Sequence, residues 1–323
     1  MKSDLWVALL RHWYNMICGQ SYWHASQGLG PCFQPGQLQD YYRDYSTKVV
    51  WHGDVDQSQF PLVREPSGKP FHDPLVFAQK ALGHWSCWLT SFRQEEAHRQ
   101  AFLALADWLV TAQEVSGAWF MPTMNKSIYT VPYNALTQGQ AISVLARAFS
   151  STSEQRYLDA AWRGLRFMLK PMEEGGTSRS TVTGLVLEEY PRYQTNTVLN
   201  GWISALFGVY DVLLLIDHVE IRDALEASLQ ALIIALPTYD AKYWSFYDSS
   251  RSLASPYYHR VHITQLRALE LTFPSHSAVI RSTRLHFEEQ LSSSICRTKA
   301  FILKAAQTLR QPPVTVRIQS QAC

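Results

Sequence analysis

The chain has no excess of either charge. In 323 residues, 29 Lys and Arg face 27 Asp and Glu, a net of +2. Without a basic field or an acidic tail, nucleic acid binding has no electrostatic footing. Charged residues make up only 17%, which excludes a disordered chain and a coiled coil. No apolar run reaches the roughly 18 residues of a membrane span. Asp4, Arg11 and His12 interrupt any apolar signal-peptide core. There is no Cys-x-x-Cys pair. The five cysteines, Cys18, Cys32, Cys87, Cys296 and Cys323, are odd in number and irregularly spaced. They exclude a thiolate zinc site or a redox motif, and fit reduced thiols in a cytoplasmic protein. A Gly-rich phosphate loop, a Ser nucleophile elbow and a zinc signature are all missing. Nucleotide and hydride chemistry therefore drop out, and neither a cofactor nor a metal is expected.

Aromatic residues, by contrast, are plentiful: Trp 11, Tyr 16 and Phe 14. Most aromatics are core, yet flat amphipathic rings also suit sugar faces. The length suits one large domain with an extension. Residues 1–73 read as an N-terminal helix and an extended arm with short strands, since 17–73 is rich in Gly, Pro, Ser and Tyr. At Asp73-Pro74 the pattern changes to that of a capped helix start. Apolar periodicity then predicts helices over 74–92 and 94–114, 134–150 and 154–170, 196–217 and 219–236, and 258–273 and 276–307. The first helix of each pair carries a comparable leucine: Leu82, Leu145, Leu206 and Leu269, separated by 63, 61 and 63 residues. A period of about 62 holding two helices is a helical-hairpin repeat. Four such pairs close into a barrel of inner and outer helices or stack as an open superhelix. Residues 311–323 form a tail.

Long aromatic and polar connections over 116–133, 175–193 and 237–257 join the pairs. Long loops on one rim of a helical scaffold are where a site is expected. Thr181 to Val186, centred on Thr183-Gly184, reads as a small β-hairpin. The first helices are polar for buried elements: Gln79, Gln138, Gln140, Asn200, Thr264 and Gln265 suit a cavity for a hydroxyl-rich ligand.

Three constellations could carry chemistry. Glu188-Glu189-Tyr190-Pro191 offers carboxylates beside a tyrosine for acid–base work, or else a solvated acid pair. Tyr247-Asp248 with Arg251 offers a tyrosine whose phenolate an arginine would stabilise, or an aromatic under a surface arginine. Tyr257-Tyr258-His259-Arg260-Val261-His262 has histidines three apart, but no third ligand is evident, so they read as histidines lining a polar cavity.

At these residues the sequence resembles the C-terminal helical domain of the heparosan glucuronyl 5-epimerases, which invert glucuronate to iduronate. The matching stretches are FHDPLVFAQKALGHW at 71–85, TQGQAISVLARAF at 137–149, EEYP at 188–191 and VLNG at 198–201. LPTYD at 236–240, the YD motif at 247–248 and YYHRVHITQL at 257–266 follow in the family's order. The resemblance spans about residues 71–290. It implies a mainly α fold, an (α/α) barrel of four helical hairpins over 74–310, with small β-hairpins in the loops. It implies catalytic roles for Glu189, Tyr190, Tyr247 and Tyr258. It implies substrate contacts from Arg43, Gln79, Gln138, Gln140, Asn200, Arg251, Tyr257, His259 and His262. Arg251 lies four residues after its tyrosine, where the family has three. The family's calcium site lies in a β-rich portion, to which only residues 1–73 could correspond.

The implied activity removes the proton on carbon 5 of a glucuronate unit and returns one on the opposite face. The implied partner is a glycosaminoglycan, heparosan or its N-sulfated form. A homodimer is left open. Two rivals share some of these features: a uronate polysaccharide lyase, and a non-catalytic glycan-binding helical module. The second would not need an acid beside three tyrosines.

Overall fold

Asp73 caps the first helix as its place before Pro74 predicts, its carboxylate accepting the Leu75 N–H at 2.9 Å. The structure is a computed structural model. It describes Tyr14 and residues 24–65, 68–122, 124, 129–192 and 196–310. The tail over 311–323 and the N-terminal helix, Tyr14 apart, fall outside the described residues.

Helices dominate. They are α1 (Pro74–Thr90), α2 (Glu96–Ala112), α3 (Ala135–Thr152), α4 (Gln155–Leu169), α5 (Leu199–Leu213), α6 (Val219–Ala235), α7 (Pro256–Thr272), α8 (Ser277–Ser292) and α9 (Ser294–Arg310). Among the described residues two small antiparallel pairs join them. β1 (Val63–Arg64) pairs with β2 (Pro70–Phe71) in the arm, and β3 (Ser178–Thr181) pairs with β4 (Gly184–Leu187) before α5. No described helix is long and apolar enough to cross a membrane.

The helices pair as hairpins, α1 with α2, α3 with α4, α5 with α6, and α7 with α8, and the first of each pair lines an inner wall, α1 against α3, α3 against α5, α5 against α7. This is an (α/α) barrel of four hairpins. Leu82, Leu145, Leu206 and Leu269 mark the inner helices and are at most 1% exposed. Each is worth about 1.5–3 kcal/mol of burial. α3 and α5 approach closely, since a Cβ on Gly139 would stand 2.6 Å from the Ala205 Cα, and one on Gly208 would stand 2.6 Å from the Gly139 Cα.

The arm does more than lead into the barrel. Tyr41, Tyr42 and Tyr45 are at most 1% exposed and fill its interior. Trp85 on α1 donates to the Gln39 carbonyl at 2.8 Å, and Arg147 on α3 donates to the Gln39 and Asp40 carbonyls. Tyr42 hydrogen-bonds Ser204 on α5 at 2.7 Å and accepts from Gln265 on α7 at 3.0 Å. One stretch of arm therefore bonds to all four inner helices. These tyrosines carry no periodicity, so the sequence reading leaves them in a loop.

Two of the expected helices differ from expectation by more than two residues. The helix expected over 276–307 is two, α8 and α9. Ser292, Ser293 and Ser294 compete with helical bonding through their hydroxyls, and the Ser293 Oγ accepts the Cys296 N–H at 3.3 Å as a fresh cap. The helix expected from 196 starts at Leu199, because Thr197 to Leu199 bond instead to the third loop, the Leu199 N–H donating to the Tyr247 carbonyl at 3.1 Å.

Candidate active site

The three long connections all precede inner helices, so they gather at the inner helices' N-terminal ends. The backbone N–H groups there favour an anionic ligand. Glu189 sits on the connection between β4 and α5. It is 3% exposed, and its Oε2 has no hydrogen-bond partner among the described residues. Burial pushes its carboxyl up to about 7, with the neighbouring Tyr190 hydroxyl partly opposing the shift. Gly201, on the first turn of α5, supplies the space. A Cβ there would stand 2.1 Å from Glu189 Oε2 and 2.6 Å from its Cβ.

Three tyrosines converge on this carboxyl. Its charge is the largest cause raising the Tyr190 hydroxyl, and after burial it is the next cause raising Tyr247 and Tyr258. The Tyr247 and Tyr258 rings meet edge to face at 4.9 Å. All three are thus protonated phenols near neutral pH, donors rather than bases. Tyr258 stands on the first turn of α7, where Pro256 and the Ser255 cap start the helix. Glu189 and Tyr258 therefore come from different repeats.

Arg43 reaches the same place from the arm. It is 7% exposed; its Nη2 donates to the Tyr257 hydroxyl and its Nη1 to the Tyr45 hydroxyl at 3.4 Å. Its Nε is buried without a partner among the described residues, and its charge lowers the Tyr258 hydroxyl. Among the described residues no carboxylate pairs with this cation. Nearby amide oxygens are also unpartnered: Gln140 donates to Tyr45 at 2.8 Å but its Oε1 bonds nothing, and the same holds for Asn200 Oδ1. Buried orphan acceptors beside an unpaired guanidinium mark a place for a polar, anionic ligand. Gln79 is buried on α1.

Other expected contacts are spent inside the protein. Gln138 accepts from the Trp119 N–H at 3.1 Å and donates to the Trp119 carbonyl at 3.0 Å, fastening the first loop. Tyr257 accepts from Arg43 and from the Ala25 N–H at 2.8 Å, with His24 stacked on its ring at 3.9 Å. His259 and His262 both bond Ser245 Oγ, at 2.8 and 2.9 Å, and His259 Nε2 meets the Phe287 carbonyl at 3.0 Å. Burial depresses both, to about 4 and about 3, so they are neutral. They tie the third loop to α7. Arg251 is exposed on the loop tip with φ 65°, facing a surface groove shared with Tyr243, Phe246 and Arg310. No contact among the described residues joins it to Glu189 or the three tyrosines.

Sequence reasoning passed over the clamp that holds the glutamate loop. Arg179 on β3 donates to Glu188 Oε1 through Nε and Nη2, at 3.0 and 2.7 Å, and Thr197 Oγ1 donates to the same oxygen at 2.9 Å. The Thr197 N–H donates to Ser249 Oγ at 2.9 Å, and its carbonyl accepts the Ser249 N–H at 2.9 Å. One threonine thus links the loop carrying Glu189 to the loop carrying Tyr247. A lone threonine between motifs gives no signal in a sequence.

No group of three or more His, Cys, Asp or Glu among the described residues could hold a metal ion. Comparison with known proteins places this geometry. A family model described as D-glucuronyl C5-epimerase C-terminus matches residues 116–289, which hold all three loops. D-glucuronyl C5-epimerase of Caenorhabditis elegans is 32% identical over 200 residues, covering 54% of this chain and 32% of that protein. An uncharacterized protein of Methanocaldococcus jannaschii is 26% identical over 136 residues, covering 41% and 44%. Among solved structures, cellobiose 2-epimerase from Spirochaeta thermophila superposes with a TM-score of 0.49 at 14% identity, covering 73% of this chain and 65% of that one. The alignments thus span about a third of the nematode enzyme and under half of the archaeal protein. With more than half of its length matched by that model, the chain belongs to the D-glucuronyl C5-epimerase C-terminal family.

Proposed function

We propose that the chain is a glucuronyl 5-epimerase acting on a glucuronate-bearing polysaccharide of the heparosan type, N-sulfated or not. The observation that carries this reading is the meeting of Glu189 with Tyr190, Tyr247 and Tyr258, two loops and one helix start converging on one buried carboxyl. Removing a proton alpha to a free carboxylate builds a second negative charge on the intermediate. The site must neutralise that charge as it forms. Arg43, whose guanidinium bonds to Tyr45 and Tyr257 and to no described carboxylate, and the phenols supply cation and donors for it.

Glu189, poised at about 7, is the base for carbon 5 of glucuronate. Tyr258, a protonated phenol across from it, returns a proton to the other face. The phenolate it leaves is stabilised by Arg43. Tyr190, Tyr247 and Asn200 orient the substrate carboxylate. The base and acid each account for about 10²–10⁴-fold.

Incubating heparosan in D₂O and following carbon 5 by NMR tests the proposal. Deuterium at carbon 5 with iduronate appearing and chain length unchanged supports it. A shortened polymer with an unsaturated product assigns a lyase. Binding without exchange on any uronate polymer assigns a glycan-binding module.

A further inference from the structure

Arg192, two residues beyond Tyr190, has no part in the chemistry above, and its surroundings are unusual for an arginine. Its Nη2 donates to the Tyr129 hydroxyl at 3.2 Å. Its guanidinium lies 4.9 Å from the Tyr129 ring centroid and 5.6 Å from that of Tyr190. The two rings stack on one another at 5.6 Å. They are seated on an apolar floor of Leu75, Met121, Met124 and Leu136. The Thr130 N–H donates to the Pro191 carbonyl at 3.0 Å, which fixes the first loop against the second. The group is therefore held by packing on one side and backbone bonding on the other.

What it lacks is a counter-ion. No described carboxylate pairs with Arg192, whereas Arg179 and Arg284, half-buried like it, each have one. Its Nε is buried and bonds to none of the described residues. Tyrosine faces hold a cation in place by their quadrupoles but leave its charge uncancelled. A guanidinium fixed in this way is prepared for a planar anion, which it can take by two parallel hydrogen bonds.

The anion is not the one at the reacting carbon. Tyr190 is the neighbour the two share: Glu189 is its largest electrostatic partner, while Arg192 lies over its ring beside Tyr129. Arg192 thus stands one aromatic ring away from Glu189, where the first and second loops meet. A polymer of glucuronate alternating with another sugar carries a second carboxylate beyond the unit being inverted. Tyr129 offers an adjacent ring for a sugar face.

We propose that Arg192 and Tyr129 form an outer subsite for the carboxylate of a neighbouring uronate unit of the same chain, a subsite that contributes binding and no chemistry. This rests on the epimerase reading for the identity of the polymer, and on the geometry alone for the anion.

The test compares R192Q and R192K with the wild-type protein. Binding of a heparosan oligosaccharide, and of the same oligosaccharide with its carboxyl groups reduced to alcohols, is measured by calorimetry, alongside KM and kcat for carbon 5 exchange. Circular dichroism melts report on folding. The expected result is a loss of about tenfold in affinity for the acidic oligosaccharide in R192Q, the value of one charged hydrogen-bonded contact. KM rises with kcat unchanged, the carboxyl-reduced ligand shows no difference, and R192K recovers part of the loss. Affinity within twofold of wild type in R192Q overturns the proposal. So does an equal loss with the reduced ligand, a fall in kcat at constant KM, or a loss of affinity in both variants that tracks a lowered melting temperature. If the oligosaccharide binds through Arg192 but carbon 5 never exchanges, the epimerase reading fails and the subsite stands. Exchange that R192Q leaves untouched gives the reverse.

Discussion

The absent side chain of Gly201 is what lets Glu189 sit on the first turn of α5. A Cβ at position 201 would lie 2.1 Å from Glu189 Oε2, and 2.6 Å from Glu189 Cβ. One of these contacts is to the base of the side chain, so rotating the carboxylate cannot clear both. Gly201→Ala gains roughly 1 kcal/mol of helix propensity and evicts the carboxyl from its pocket. The expected outcome is a loss of carbon 5 exchange approaching the ~10²–10⁴-fold of a missing general base, with the protein still folded by circular dichroism. Wild-type exchange in this variant would mean that the carboxyl works from another position.

Thr197 predicts a subtler effect. Thr197→Val removes one hydroxyl and leaves a buried Glu188 oxygen with only Arg179. Loss of such a bond costs about 1–3 kcal/mol. The loops bearing Glu189 and Tyr247 lose their shared pin, so kcat should fall by more than KM changes, and Thr197→Ser, which keeps the hydroxyl, should restore most of it. Equal rates for the valine and serine variants would show that the hydroxyl positions nothing.

The inner wall was legible because repetition left a mark: four leucines at nearly equal spacing, each facing the core. The capped start of α1 was legible from two adjacent residues. The arm was not, since Tyr42 and Tyr45 bond to Ser204 and Gln140, 162 and 95 residues away, and obey no local period. Polarity alone cannot tell a side chain that faces a ligand from one that fastens a loop. Gln140 keeps a free oxygen while Gln138, two residues earlier, spends both ends on Trp119. The same ambiguity covers Arg251. Phe246 and Tyr247 alternate across a short hairpin, so Tyr247 meets Tyr258 while Phe246 lines the outer groove that Arg251 shares.

Stability should depend on pH through opposed groups. Burial lowers His84 to about 4, His259 to about 4 and His262 to about 3. Unfolded, each would titrate near 6.5. Between these values the unfolded chain binds more protons, so the stability from neutral burial is present above about 6.5 and is lost as pH falls. Glu189 and Asp73 act oppositely. Their folded values, about 7 and about 6, exceed the ordinary ones, so their contribution is present at low pH and is lost as pH rises through the folded values. Three histidines against two carboxyls predict net destabilisation from pH 6.5 down to 4, measured by urea unfolding. His84→Gln should flatten that fall, while Glu189→Gln should stabilise the protein near pH 8. A steeper acid loss in the His84 variant would contradict the assignment.

The sharpest prediction concerns direction. Tyr258→Phe removes a hydroxyl without changing the cavity, and Glu189→Gln keeps the side-chain volume. Each should lower inversion by about 10²–10⁴-fold with little change in affinity. Their exchange patterns should differ. Glu189 remains able to take the carbon 5 proton of glucuronate in Tyr258→Phe, so deuterium should still enter glucuronate with retention, while iduronate stays unlabelled. In Glu189→Gln that face is silent, and exchange can start only from iduronate through the phenol. Burial and the Glu189 charge hold the Tyr258 hydroxyl well above its ordinary range, which makes the phenol a poor base, so this second exchange should be the slower and should speed up with rising pH. Proton-detected NMR of each epimer in D₂O reads both patterns. Identical labelling of the two epimers by both variants would mean that one residue serves both faces, and the pairing of Glu189 with Tyr258 would be wrong.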